Sequence, residues 1–208
     1  MLKNKEMIIG RSYKYLNTAV LIPLIRINKE THLLFEQRSS DIVQGDEICF
    51  PGGRFDVEKD ATLKDTAQRE TCEELGITKN RVKVRQKFGI LITPIGVLVE
   101  AYTAIIRIKS IRELNINKAE VRRVFTIPLD WFRKNPPREH QLHIEVRPFR
   151  YNDNHEKEHL LPVKDYALPE RYEQPWEGRE HTVFVYPAPS GVIWGITAEI
   201  IREYIKRK

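Results

Sequence analysis

Long apolar runs are missing from this chain of 208 residues. The longest uninterrupted ones, such as Ala19-Val20-Leu21-Ile22, fall far short of the roughly 20 residues a membrane-spanning helix needs. Residues Met1 to Gly10 carry charges and only a two-residue Ile8-Ile9 run, so no signal-peptide core is expected there. A cytoplasmic setting without membrane attachment is the expectation. Cysteine is scarce. In a chain without an export signal, Cys49 and Cys72 are expected as free thiols in apolar or helical surroundings rather than as a disulfide. Basic tracts of five or more residues are absent, and the Lys206-Arg207-Lys208 tail is too short for an arm, so nucleic acid is not an expected partner. Internal repeats and low-complexity segments are lacking as well.

What is present is a globular balance, with 41% hydrophobic and 31% charged residues. The length fits a single domain over residues 1–208, with a core of ordinary size. Lys and Arg exceed Asp and Glu by 35 to 29, a net charge of +6. That excess suits a small polyanionic ligand such as a nucleotide or phosphorylated cofactor, though it serves equally as a solubilising surface. A homodimer is compatible with all of this.

Periodicity divides the chain into strands and a few helices. Thr18–Ile25 and His32–Glu36 read as strands joined near Asn28-Lys29, and Glu47–Phe50 as a short strand stopped by the turn signal Pro51-Gly52-Gly53. From Ala61 to Leu75 the pattern becomes helical: Ala67, Thr71 and Leu75 recur every four residues beside Cys72, and Gly76 fits a C-cap. Arg81–Lys87, Gly96–Ile108 and Glu120–Phe125 are further strands, and Pro128–Phe132 predicts a short helix. Eight of the twelve prolines lie between Pro136 and Pro189. The stretch around 136–182 therefore reads as an irregular insertion, with strands near Leu142–Val146 and Thr182–Val185. A helix over Ile196–Lys206 closes the chain. Strands interrupted by separated helices predict an α/β fold, a sheet with helices on its faces.

The chemistry concentrates in Phe50-Pro51-Gly52-Gly53-Arg54-Phe55-Asp56 and Arg69-Glu70-Thr71-Cys72-Glu73-Glu74-Leu75-Gly76-Ile77. On a helix, Glu70 and Glu74 stand one turn apart and Glu73 lies in the same arc, so three like charges repel. A hard divalent cation offsets that repulsion, because Mg²⁺ and Mn²⁺ favour oxygen ligands. Arg69, four residues before Glu73, can neutralise and orient a carboxylate. The alternative is a solvated acidic face with an ordinary salt bridge. The glycine turn ahead of the helix shifts the balance toward function, since it lets backbone approach phosphate closely.

These residues resemble the Nudix box, G-x5-E-x7-R-E-U-x-E-E-x-G-U. Gly53, Arg69, Glu70, Glu73, Glu74, Gly76 and Ile77 fit it. Gly53 and Arg69 stand sixteen positions apart where the pattern has fourteen, and the glutamate expected six after the glycine falls on Lys59, beside Glu58 and Asp60. A two-residue insertion accounts for the shift. Either acid could take the missing role, and Asp60 could instead cap the helix. The expanded loop, Leu33-Leu34 with Arg38-Ser39, Glu120-Val121 with Val124 to Trp131, and Ile193 to Ala198 resemble the coenzyme A-hydrolysing branch of the family. Ser40 to Gln44 lacks that branch's basic residues, for which Arg38 and Arg54 could compensate.

The resemblance implies an α/β/α sandwich with a mixed β-sheet flanked by helices, and metal-dependent cleavage of a pyrophosphate bond. Glu70, Glu73 and Glu74 would hold Mg²⁺ or Mn²⁺, Arg69 would orient them, and Glu120 is the candidate base. Arg38, Gly52, Gly53 and Arg54 are the candidate substrate contacts. Coenzyme A or an acyl-coenzyme A would yield 3′,5′-ADP and 4′-phosphopantetheine. ADP-ribose, dinucleoside polyphosphates and a non-catalytic sensing role are the competing readings. Trp131 and Trp194 are expected in the core, His32 as structural, and the remaining histidines show no metal-ligand spacing.

Overall fold

The computed structural model describes residues 7–208. The expectation that residues 1–10 hold no export segment rests largely on residues outside that range. The chain divides into two compact units, residues 1–137 with 185–208, and residues 138–184.

The larger unit is built on a seven-stranded sheet with a short helix α1 (Arg11–Lys14) ahead of it. Its strands are β1 (Leu16–Ile27), β2 (Glu30–Arg38), β3 (Ile48–Cys49), β4 (Gly52–Arg54), β5 (Val82–Ile92), β6 (Val97–Ile106) and β7 (Val121–Pro128). The order is β3-β2-β1-β6-β5, with β4 added to β1 and β7 to β2. The β1–β6 pair is parallel and its neighbours are antiparallel, so the sheet is mixed. The β1–β2 hairpin turns through Asn28 and Lys29, both at positive φ, where the sequence places a turn.

Helix α2 (Leu63–Leu75) covers one face of the sheet. Ala67 and Leu75 are fully buried there, against Ala19, Leu21, Leu34, Tyr102, Ala104 and Ile106. The opposite face of β2 presents Phe35, which packs on Phe132 of α3 (Leu129–Lys134) with ring centroids 5.9 Å apart. Helix α4 (Gly195–Lys206) lies on the same side, Tyr204 against Phe88 of β5. Because both sheet faces are covered, central strands are buried on both sides and read as continuous apolar runs. The result is an α/β/α sandwich. Strand β13 (His181–Ala188) contributes residues from Val185 onward to this unit, pairing antiparallel with β14 (Gly191–Trp194).

Several expectations shift. Gly52-Gly53 form an edge strand on β1 rather than a turn. Helix α2 begins after Thr62, whose hydroxyl accepts from the Asp65 N–H; Asp60 is not the N-cap. Trp194 is 47% exposed, because alternation on β14 sends its neighbour Ile193 into the core instead. Trp131 does pack, edge-on to Phe132. Cys49 and Cys72 are free, and both are only partly buried.

Within the smaller unit lie β8 (Arg138–Leu142), β9 (Glu145–Val146), β10 (Phe149–Tyr151), β11 (Lys157–His159) and β12 (Trp176–Glu177). Strands β10 and β11 form a hairpin, and β9 pairs with β12. The strand expected over Leu142–Val146 is thus two separate pieces.

Candidate active site

The site is assembled where α2 runs behind β4 and the end of β2. Gly52 is at φ 150, and a Cβ there would fall 2.2 Å from the Ala19 carbonyl oxygen. Only glycine lets β4 lie this close to β1. That placement turns the Gly52 N–H toward α2, where it donates to Glu74 Oε2 at 2.9 Å. Gly53 leaves room for Glu70: a Cβ there would sit 2.5 Å from the Glu70 carboxyl carbon. The two glycines and two glutamates therefore form one interlocked unit.

Arg69 organises the outer part. Its Nε and Nη2 donate to both oxygens of Asp60, at 2.9 and 2.8 Å. Its Nη1 reaches Glu70 Oε1 at 2.9 Å and Glu73 Oε2 at 3.1 Å. A bidentate fork of this kind fixes the guanidinium plane. Asp60 also accepts from the Thr66 hydroxyl at 2.9 Å and is nearly inaccessible. Held by Arg69, its carboxyl falls to a pKa of about 2. Asp60 is thus the anchor that aims Arg69, a role hidden at sequence level by the lengthened loop.

Glu36 of β2 is a member of the site that sequence reasoning missed. Alternation places it on the face of Leu34, toward α2, and it is 1% exposed. Burial raises its pKa, with the Cys49 thiol and the charge of Arg38 opposing. Glu74 is raised as well, by burial first and then by the charge of Glu36. Glu70 is raised by burial, against the pull of Arg69. Glu120, exposed at the start of β7, adds its charge to all three. In the sequence Glu36 directly follows the apolar run Leu33-Leu34-Phe35 and opens the polar stretch Glu36-Gln37-Arg38, so its burial carried no local signal.

Of the residues singled out from the sequence, Glu70, Glu74, Glu120, Gly52 and Gly53 are brought together, with Glu73 alongside through Arg69. Arg38 is close enough for its charge to act on Glu36, although its Nε is turned to the Val43 carbonyl at 3.2 Å. Arg54 stands exposed on β4. A cavity of about 480 Å³ borders Arg69 and Glu73 together with Lys59, Gln68 and Lys79, on the flank of α2; Glu36, Glu70 and Glu74 do not line it. Among the described residues, no three acidic, His or Cys side chains are gathered in ligating geometry.

The two glycines of β4 and the carboxylates of α2 thus meet at one place. A family model described as the NUDIX domain matches residues 16–174. The chain is 35% identical over 121 residues to Nudix hydrolase 3 of Caenorhabditis elegans, an alignment covering 54% of this chain and 47% of that protein. Over 137 residues it is 33% identical to the peroxisomal coenzyme A diphosphatase NUDT7 of Mus musculus, covering 60% of this chain and 53% of that one. It thus spans about half the length of these two relatives. A solved MutT/nudix family protein from Enterococcus faecalis superimposes with a TM-score of 0.50 at 16% identity, over 93% of this chain and 62% of the other; that likeness concerns the fold alone. The chain belongs to the Nudix family of hydrolases. No helix among the described residues is long and apolar enough to cross a membrane.

Proposed function

We propose that this chain hydrolyses the pyrophosphate bond of coenzyme A or an acyl-coenzyme A, releasing 3′,5′-ADP and 4′-phosphopantetheine or its acyl form. The observation that carries the hydrolase reading is the convergence of Glu70, Glu74 and Glu36 behind Gly52 and Gly53. The similarity to the mouse coenzyme A diphosphatase supports the substrate.

The residues present fit a divalent cation. All donors are oxygens, their charges oppose one another, and one buried carboxylate oxygen, Glu36 Oε2, has no donor among the described residues. Glu70, Glu73 and Glu74 would hold Mg²⁺ or Mn²⁺. When bound, the ion supplies positive charge against the phosphate oxygens and eases deprotonation of a nearby water. Arg69 keeps Glu70 and Glu73 aimed while Asp60 holds Arg69 in place. Glu120 accepts the proton of the attacking water. The new P–O bond forms as the bridging P–O bond breaks, and the departing phosphate leaves with the electron pair. Arg38 and Arg54 meet phosphate oxygens.

The test is a hydrolysis panel with Mg²⁺ or Mn²⁺ on coenzyme A, acetyl-coenzyme A, ADP-ribose, NADH and diadenosine polyphosphates, with product identification. Highest kcat/KM on a coenzyme A substrate, abolished by EDTA, is the expected result. A higher kcat/KM on another diphosphate would overturn the substrate. No turnover with either metal would overturn the enzymatic reading in favour of a ligand-sensing domain.

A further inference from the structure

Strand β2 puts a carboxylate at the last of four consecutive buried positions. Leu33, Leu34, Phe35 and Glu36 are all buried, at 0, 0, 0 and 1% exposure. Taking a charged carboxylate out of water is unfavourable unless partners offset it. The partners here are poor. Glu36 Oε1 receives the Cys49 thiol, a weak donor, at 3.5 Å, and Oε2 has no donor. Among the described residues no Lys or Arg forms an ion pair with it, Arg38 having turned to Val43. Its neighbour in the site is another buried acid, Glu74, whose Oε2 is already taken by Gly52 N–H. Ordinary packing would have favoured an apolar residue at position 36. A buried oxygen without a donor among the described residues, beside a second buried acid, points to a positively charged partner.

We propose that Glu36 is a further cation-holding residue of this site, supplied by the sheet rather than by the box helix. With Glu74 it would hold the cation from the buried side and Glu70 and Glu73 from the side nearer solvent, the carboxylates, which are not gathered in ligating geometry here, closing in as the ion binds. This assignment rests on the hydrolase reading above. Residues from two independent elements would then hold the ion, so binding would tie β2 to α2, which a cluster confined to one helix cannot do. A proton shared between Glu36 and Glu74 would satisfy the same pair without any cation, and the substitution Glu36→Gln separates the two accounts. The glutamine amide can donate to Glu74 permanently, so the fold without metal is kept or strengthened in both cases.

The experiment is Mn²⁺ binding to the full chain without substrate, followed by electron paramagnetic resonance and by the Mn²⁺-induced rise in Tm. Wild type, Glu36→Gln, Glu36→Asp and the exposed control Glu30→Gln are compared. Loss of a residue holding the metal is expected to weaken Mn²⁺ binding at least about tenfold in Glu36→Gln, with a smaller loss in Glu36→Asp, a smaller Tm rise, and no change in Glu30→Gln. Equal Mn²⁺ affinity in wild type and Glu36→Gln, both folded by circular dichroism, would overturn the proposal and leave the hydrolase reading intact. Absence of Mn²⁺ binding by wild type itself would overturn both.

Discussion

Alanine at Gly53 and at Gly52 should have opposite consequences, although the two residues are adjacent. A Cβ at position 53 would lie 2.5 Å from the Glu70 carboxyl carbon and 2.7 Å from its Oε1. Ordinary contact needs about 3.4 Å or more, so the carboxylate must retreat by roughly 1 Å. The obstructed group is the end of a flexible side chain, so it can move at little cost to folding. Gly53 is also not held at positive φ, and alanine there restricts the unfolded chain, which contributes up to about 1 kcal/mol of stability. A misplacement of about 1 Å at a catalytic group costs roughly 10²-fold in rate, or about 2.7 kcal/mol of barrier. At Gly52 the collisions are with backbone, the Ala19 oxygen at 2.2 Å and Val20 Cα at 2.6 Å, and φ is 150. Overpacking and backbone strain together should cost about 3–5 kcal/mol there. For a chain of this size that corresponds to a Tm lower by roughly 6–20 °C. Calorimetry and steady-state hydrolysis of coenzyme A on both variants read the two effects separately. Full turnover in a folded Gly53→Ala variant would refute the placement of Glu70 as a working group.

Further outcomes follow from the same contacts. The Asp60 carboxyl, held near a pKa of 2 by Arg69, has a depressed folded-state value. Its contribution is therefore complete above the unfolded value near 4 and is lost as pH falls through 2. The shift of about 2 units corresponds to about 2–3 kcal/mol. Urea unfolding should show wild type and Asp60→Asn differing at pH 6 by at least that amount, with the gap closing toward pH 2; a gap independent of pH would contradict the pairing. Thr62→Ala removes the cap on the Asp65 N–H and should cost about 1 kcal/mol without changing kcat. If the denaturation midpoint does not move, α2 draws no stability from that cap.

The sequence made the box helix legible because its information is local. Ala67, Thr71 and Leu75 carry the helical period, and Gly76 ends it at φ 60 with its N–H on the Cys72 carbonyl. The interlock of Gly52 with Glu74 was out of reach, since it depends on β4 pairing with β1, a register no short motif encodes. Asp60 lost its identity to the lengthened loop, where counting from Gly53 lands on Lys59. Glu36 stayed hidden for a related reason: thirty-eight positions separate it from Glu74, and only the folding of β2 against α2 brings them together. Residues 138–184 carry little periodicity, and short pairings such as Trp176 with Val146 join distant segments.

The most direct test of the central claim is the turnover of Glu73→Gln on coenzyme A at saturating Mn²⁺. The Glu73 side chain is 52% exposed, and its ion pair with Arg69 at 3.1 Å lies at the surface. The substitution should therefore leave the unfolding free energy within about 0.5 kcal/mol of wild type. If Glu73 helps to hold the cation, kcat falls by at least about 10²-fold at unchanged stability. Unchanged kcat in the folded variant would contradict a cation-dependent hydrolytic site on this helix.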